Sequence, residues 1–167
     1  MIKDLFYKLK KDKRKQITQD FYQVFSEKDL LTVSVKDLVL ATNISRGSFY
    51  TYFDSPRDAY AYVLAQVLQR IHRQLEGQNP FVAARQFLET MTTNPDRAFL
   101  KHYYTVNEII LEVHGEAKGS LLEDQALDEW LVSVSVHELI RRYFLNPENR
   151  KMILDRLSAL EAWSKRS

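Results

Sequence analysis

The sequence contains no cysteine, which excludes disulfides and thiolate metal sites. Glycine and proline are scarce, four of each in 167 residues. Such low counts favour long uninterrupted helices over a strand-and-turn fold. No stretch approaches the roughly 18 apolar residues of a membrane span. The opening run MIKDLFYKLKK has no apolar core of signal-peptide length, so a cytoplasmic protein without a membrane partner is expected. Gly-rich phosphate loops, nucleophile elbows and paired-carboxylate motifs are also missing, and no enzymatic activity is expected. The histidines His72, His102, His114 and His137 are scattered, with no HxxxH or HExxH spacing. Glu112 and His114 do not share a helix face. Neither a metal nor a cofactor is expected.

What is present is helical. Hydrophobic residues make up 45% of the chain, enough for a packed core. The most informative stretch spans residues 34–58, SVKDLVLATNISRGSFYTYFDSPRD. Ser34 followed three residues later by Asp37 marks a capping box. Val35, Leu38 and Val39 share one face of the helix that follows. Asn43 falls where the turn needs a left-handed residue. Ser45 can cap a second short helix bearing Arg46, Gly47, Ser48, Tyr50, Thr51 and Tyr52, with Phe49 and Phe53 on its inner face.

Two short helices joined by a tight turn, the second cationic and rich in small polar residues, have the pattern of a helix-turn-helix. The second helix must enter a major groove about 12 Å wide. Gly47 and Ser48 allow close backbone approach, Arg46 can reach base edges or phosphates, and hydroxyls can hold phosphates. Charge is distributed accordingly. Residues 1–57 hold 11 Lys and Arg against 7 Asp and Glu, a net of +4, and the remainder carries 13 against 15, a net of −2. The cluster Lys8, Lys10, Lys11, Lys13, Arg14 and Lys15 fits either a DNA-contacting or a merely solvated helix face.

At these residues the chain resembles the TetR family of bacterial transcription regulators. The matches are Asp37-Leu38, Ala41, Ile44-Ser45, Gly47, Phe49-Tyr50 and Tyr52-Phe53-Asp54-Ser55, extending back through Ile17, Phe21 and Phe25. They cover about residues 11–60. Two glycines usual in the family are replaced by Asn43 and Asp29, both tolerant of a left-handed backbone. The usual lysine after Asp54 is Pro56, which removes a phosphate contact.

The resemblance implies an all-α protein, with a three-helix helix-turn-helix head over residues 1–54. A long helix joins this head to a small C-terminal dimerisation and regulatory bundle over 55–167. It further implies a homodimeric repressor that binds a double-stranded DNA operator and is released by a small-molecule effector. Expected DNA contacts are Ser34, Ser45, Arg46, Gly47, Ser48, Tyr50, Thr51, Tyr52, Lys13 and Lys15. Alternatively, the C-terminal bundle binds a protein partner instead of a small molecule.

The rest of the chain offers periodicity. Residues 1–27 read as one helix, with Leu5, Phe6 and Leu9 extending its apolar pattern. Ser55-Pro56-Arg57-Asp58 starts a helix of roughly 20 residues, about 30 Å long at 1.5 Å per residue. It ends near Gly77. Helices are expected over 81–92, from Asn94 to about His114 with Phe99, Tyr103, Val106, Ile109 and Ile110 inward, over 120–145, and over 147–163. A loop is expected over 115–119. Phe87, Phe99, His102, Tyr103, Asn107 and Trp130 are candidates for a ligand pocket, or else plain core. Leu127, Leu131, Val134, Ile153, Leu157 and Leu160 are candidates for the dimer interface.

Overall fold

Side-chain caps at Ser34, Ser45, Ser55 and Asn79 set the starts of four helices. The computed structural model describes residues 2–115 and 126–166. It is all-helical apart from turns and one isolated bridge. Of the loop expected over 115–119, Gly115 lies in a turn; the rest of it and the start of the helix placed at 120 lie outside the described residues.

The expected single helix over 1–27 is two helices, α1 (Asp4–Tyr7) and α2 (Lys11–Glu27). The break follows from what α1 packs against. Phe6 is fully buried, its ring centroid 4.8 Å from Phe53 and 5.1 Å from Tyr62. Ile2 pairs with Phe53, and Lys3 N–H donates to the Tyr52 carbonyl at 2.9 Å. A straight continuation of α2 cannot meet both demands, so the chain bends, and Arg14 donates to the Tyr7 carbonyl at 2.8 Å across the corner. Ile17, Phe21 and Phe25 form the buried face of α2.

α3 (Val35–Thr42) and α4 (Arg46–Tyr52) follow. Ser34 and Asp37 form the expected capping box. Asn43 adopts φ 50°, ψ 42°, the left-handed region that its short amide side chain tolerates. Asp29 does not adopt that conformation, since Asn43 is the one non-glycine residue with positive φ among those described. Asp29 turns the chain with its carboxylate instead, accepting from the N–H groups of Leu31 (3.0 Å) and Thr32 (3.1 Å) and from the Thr32 hydroxyl (3.0 Å).

Ser55 caps α5 (Pro56–Leu75), a helix of 20 residues with Pro56 in its first turn. Tyr60, Val63, Leu64, Val67 and Ile71 make it the spine of the core. α6 (Pro80–Thr90) is capped by Asn79. The next helical stretch is α7 (Arg97–His102), one π-helical turn (Tyr103–Asn107) and α8 (Glu108–Val113). A π turn holds an extra residue and rotates whatever follows. The inward residues are accordingly Tyr104, Asn107, Glu108 and Leu111, while Ile109, expected inside, is 54% exposed. α9 (Leu127–Leu145), a 3₁₀ turn (Pro147–Asn149) and α10 (Arg150–Ser164) complete the described chain.

One continuous core crosses the expected boundary between residues 54 and 55. Phe99 of α7 stacks between Tyr22 of α2 (5.5 Å) and Tyr60 of α5 (5.2 Å). Buried Asp96 accepts from the Tyr22 hydroxyl at 2.8 Å and pairs with Arg70 at 2.6 Å. A smaller core of Phe81, Ala84 and Leu157 joins α6, α9 and α10. Arg85 and Glu161 bridge α6 to α10 at 2.7 Å. The head is therefore seated on α5, α7 and the π turn, while α6 packs with α9 and α10.

Candidate nucleic-acid interface

α4 presents an exposed face on the head. Phe49 anchors the helix inward against Phe21 (6.2 Å) and Phe53 (5.6 Å). Arg46, Gly47, Tyr50 and Thr51 are exposed, and Ser48 is half-buried. Ser45 accepts from Ser48 N–H at 3.0 Å, and the two hydroxyl oxygens lie 2.9 Å apart. Thr51 donates its hydroxyl to the Gly47 carbonyl at 3.0 Å. The Arg46 guanidinium lies 5.8 Å from the centre of the Tyr50 ring. That contact orients the arginine without neutralising it.

Gly47 is the most telling residue of this face. It is exposed, and its φ is not positive. A Cβ added there would meet nothing closer than Ser45 Oγ at 3.8 Å. Neither backbone conformation nor internal packing requires glycine, although glycine costs an exposed helix about 0.5–1 kcal/mol relative to alanine. What its missing side chain leaves open is the outer surface.

Ser34 is exposed at the start of α3, but its hydroxyl is occupied. It donates to Asp37 Oδ2 at 2.7 Å and accepts from Asp37 N–H at 3.3 Å. Lys28 donates to the other Asp37 oxygen at 2.7 Å. That hydrogen bond, with those from Ser34, holds the Asp37 carboxyl below the ordinary carboxylate range.

Tyr52, grouped with the α4 contacts, turns the other way. It is half-buried, its ring 5.8 Å from Phe6. The N-terminal strap takes this side of α4, so Tyr52 belongs to the packing between strap and head. Lys13 and Lys15 are exposed near the start of α2 and have no ion-pair partner among the described residues. Arg14 between them is used at the α1–α2 corner.

Lys3 carries no signal in the sequence. Its ammonium donates to the Tyr50 carbonyl at 2.7 Å and pairs with Asp54 at 2.8 Å. A cation at the carbonyl end of α4 is favourable for the helix dipole. The same bond lowers the Asp54 pKa. Forty-seven residues separate Lys3 from Tyr50, so only the folded chain reveals the pairing.

Of the residues expected to line a ligand pocket, Phe87 borders a cleft of about 290 Å³ between α5 and α6. Phe99 is fully buried in its aromatic stack, and Phe87 packs edge-on to Phe144 at 6.5 Å. Asn107 is fully buried and accepts from Leu30 N–H at 2.8 Å. Tyr103 and His102 are half-buried on the turn before it, and Trp130 is half-buried on α9. Tyr103 is held protonated by burial first and then by the nearby Glu108 charge.

The expected subunit contacts divide. Ile153 and Leu157 are buried within the chain, where a second copy has no access. Leu157 sits in the small core with α6 and α9, and Ile153 joins the main core. Leu131, Val134 and Leu160 are half-buried, and Leu127 is 70% exposed. Met152 and Trp163 of α10 are also exposed, and their spacing of eleven residues returns to one helix face.

Among the described residues no group of three His, Asp or Glu side chains gathers to hold a cation. No described helix is long and apolar enough to cross a membrane. No family model matches the chain, and no curated protein matches it.

Proposed function

We propose that the chain is a sequence-specific, double-stranded-DNA-binding transcription regulator similar to TetR-family proteins, acting as a homodimeric repressor in the cytoplasm. The observation that carries this reading is the open face of α4. Arg46 is exposed with no carboxylate partner among the described residues, beside a glycine that neither backbone conformation nor packing requires. Inserted in the major groove, α4 would bring Arg46 to base edges, and Ser45, Tyr50 and Thr51 to phosphates. Lys13 and Lys15 would add phosphate contacts from α2. Lys3 would act indirectly, by fixing the end of α4.

A single head has too small a surface for a specific complex. Two heads on half-sites about 34 Å apart supply the rest. The apolar residues left exposed on α9 and α10, Leu127, Met152 and Trp163, support pairing of two copies through that side. An effector that favours a different spacing of the heads would release the operator by depleting the binding-competent state.

The test is an electrophoretic shift with the DNA upstream of the protein's own coding sequence against randomised DNA, at moderate salt. A selective complex is expected, and Arg46→Ala should weaken it by about 1–3 kcal/mol while relaxing sequence preference. Arg46→Ala binding as tightly and as selectively as the unaltered protein would sink the assignment.

A further inference from the structure

Arg97 and Lys101 lie four residues apart, hence on one face of α7, and both are exposed. Neither has an ion-pair partner among the described residues. Nearby carboxylates leave them uncompensated. Asp96 is committed to Arg70 and Tyr22, and Glu148, in the turn after α9, forms no ion pair with either cation. The two cations border a cleft of about 440 Å³ between the start of α7 and the end of α9. Pro95 and Pro147 form two of its edges, and Tyr143 and Phe144 lie between them. Tyr143 is 1% exposed, and its hydroxyl has no hydrogen-bond partner among the described residues.

Cations and two exposed prolines in one lining select for chemistry as well as size. A guanidinium offers a planar fork that matches a carboxylate, and an ammonium adds a second charge. Proline and aromatic surfaces suit a flat apolar body. The volume falls in the range of about 300–1,000 Å³ typical of small-molecule sites. We infer that this cleft binds a small aromatic carboxylate, its charge held by Arg97 and Lys101 and its ring lying against Pro95 and Pro147, next to the nearly buried Tyr143 and Phe144. None of the six residues expected at a ligand pocket from the sequence lines it. Arg97 directly follows Asp96, the carboxylate that joins α2 to α5 and α7. Regulation of DNA binding by that path rests on the function proposed above, whereas binding of the anion does not.

Calorimetric titration of the full chain, without DNA, separates the two. The probes are 2-naphthoate and its neutral isostere 2-naphthamide, at low ionic strength so that exposed charges are not screened. Naphthoate is expected to bind at one site per chain, at least about tenfold more tightly than the amide, a difference of roughly 1.4 kcal/mol. The double variant Arg97→Gln, Lys101→Gln should bind the two probes alike, with its unligated melting temperature unchanged. In the unaltered protein, naphthoate should shift the ring resonances of Tyr143 and Phe144. Equal affinity for acid and amide in the unaltered protein, an acid preference that survives in the double variant, or unmoved Tyr143 and Phe144 resonances would each overturn the site. Because no DNA is present, any of these results leaves the regulator reading standing.

Discussion

The α3–α4 corner and the α7–α8 segment are both pairs of short helices joined by a departure from α geometry, yet they are built by opposite means. At the corner, every device acts within a few residues. Ser34 and Asp37 cap each other, Asn43 supplies the left-handed turn, and Ser45 caps α4. In the α7–α8 segment the π turn has no local cap. It is fixed by distant partners instead: Asn107 accepts from Leu30 N–H, 77 residues away, and Glu108 meets His137 of α9 at 2.6 Å. The corner holds a surface open, whereas the π turn draws polar groups inward. Local chemistry thus shapes the outward-facing element, and tertiary demand shapes the buried one.

The strap over the end of α4 breaks this division most sharply, because it is a long-range support for the corner. Phe6→Ala should have the largest effect on stability, about 3–5 kcal/mol as for a fully buried phenylalanine, read by denaturant unfolding. A loss below 1 kcal/mol would mean that the strap only rests on the head.

Next comes the bulge. Asn107→Ala removes the acceptor for Leu30 N–H and should cost about 1–3 kcal/mol. Part of the loss is offset, since the substitution also removes Asn107 Nδ2, which is buried with no hydrogen-bond partner among the described residues. Hydrogen exchange at Leu30 should accelerate in the variant, and unchanged protection there would show that the bulge is held by something else.

Gly47→Ala sharpens the contrast by its sign. On the open face the added methyl has room, so the protein should gain up to about 1 kcal/mol of stability while its DNA complex weakens. A variant that is more stable and binds DNA equally well would leave the glycine unexplained by DNA approach.

The smallest effect belongs to His137. Its hydrogen bond to Glu108 raises its pKa above the usual value, against the opposing effect of burial, with further help from Glu112 and Glu138. The groups around it are Glu108 and Glu112 of α8, the Tyr104 ring at 5.4 Å, and Glu138 of its own helix, itself paired to Arg141. A raised folded-state pKa contributes stability that is complete below the unfolded value of about 6.5. It is lost as pH rises through the folded value. Melting temperature should therefore fall by a few degrees from about pH 6 to pH 8, and His137→Gln should flatten that slope. An unchanged slope in the variant would assign the pH dependence to other groups.

The sequence alone determined the helical class, the caps of α3, α4 and α5, the left-handed Asn43 and the inward Phe49 and Phe53. Each depends on residues no more than about four positions apart, where backbone geometry leaves few choices. It also marked Arg46, Gly47 and Tyr50, because a cation and a glycine beside an apolar anchor are informative without a partner. Only the tertiary structure decided that α1 breaks from α2 to bury Phe6. It likewise decided that one extra residue in the π turn puts Asn107 and Glu108 inside and Ile109 outside. The physical reason is the same in each case. Buried donors and apolar faces must be satisfied by whatever packs against them, and those partners lie 30 to 80 residues away (roughly, for Phe6 with Phe53, Leu30 with Asn107 and Glu108 with His137).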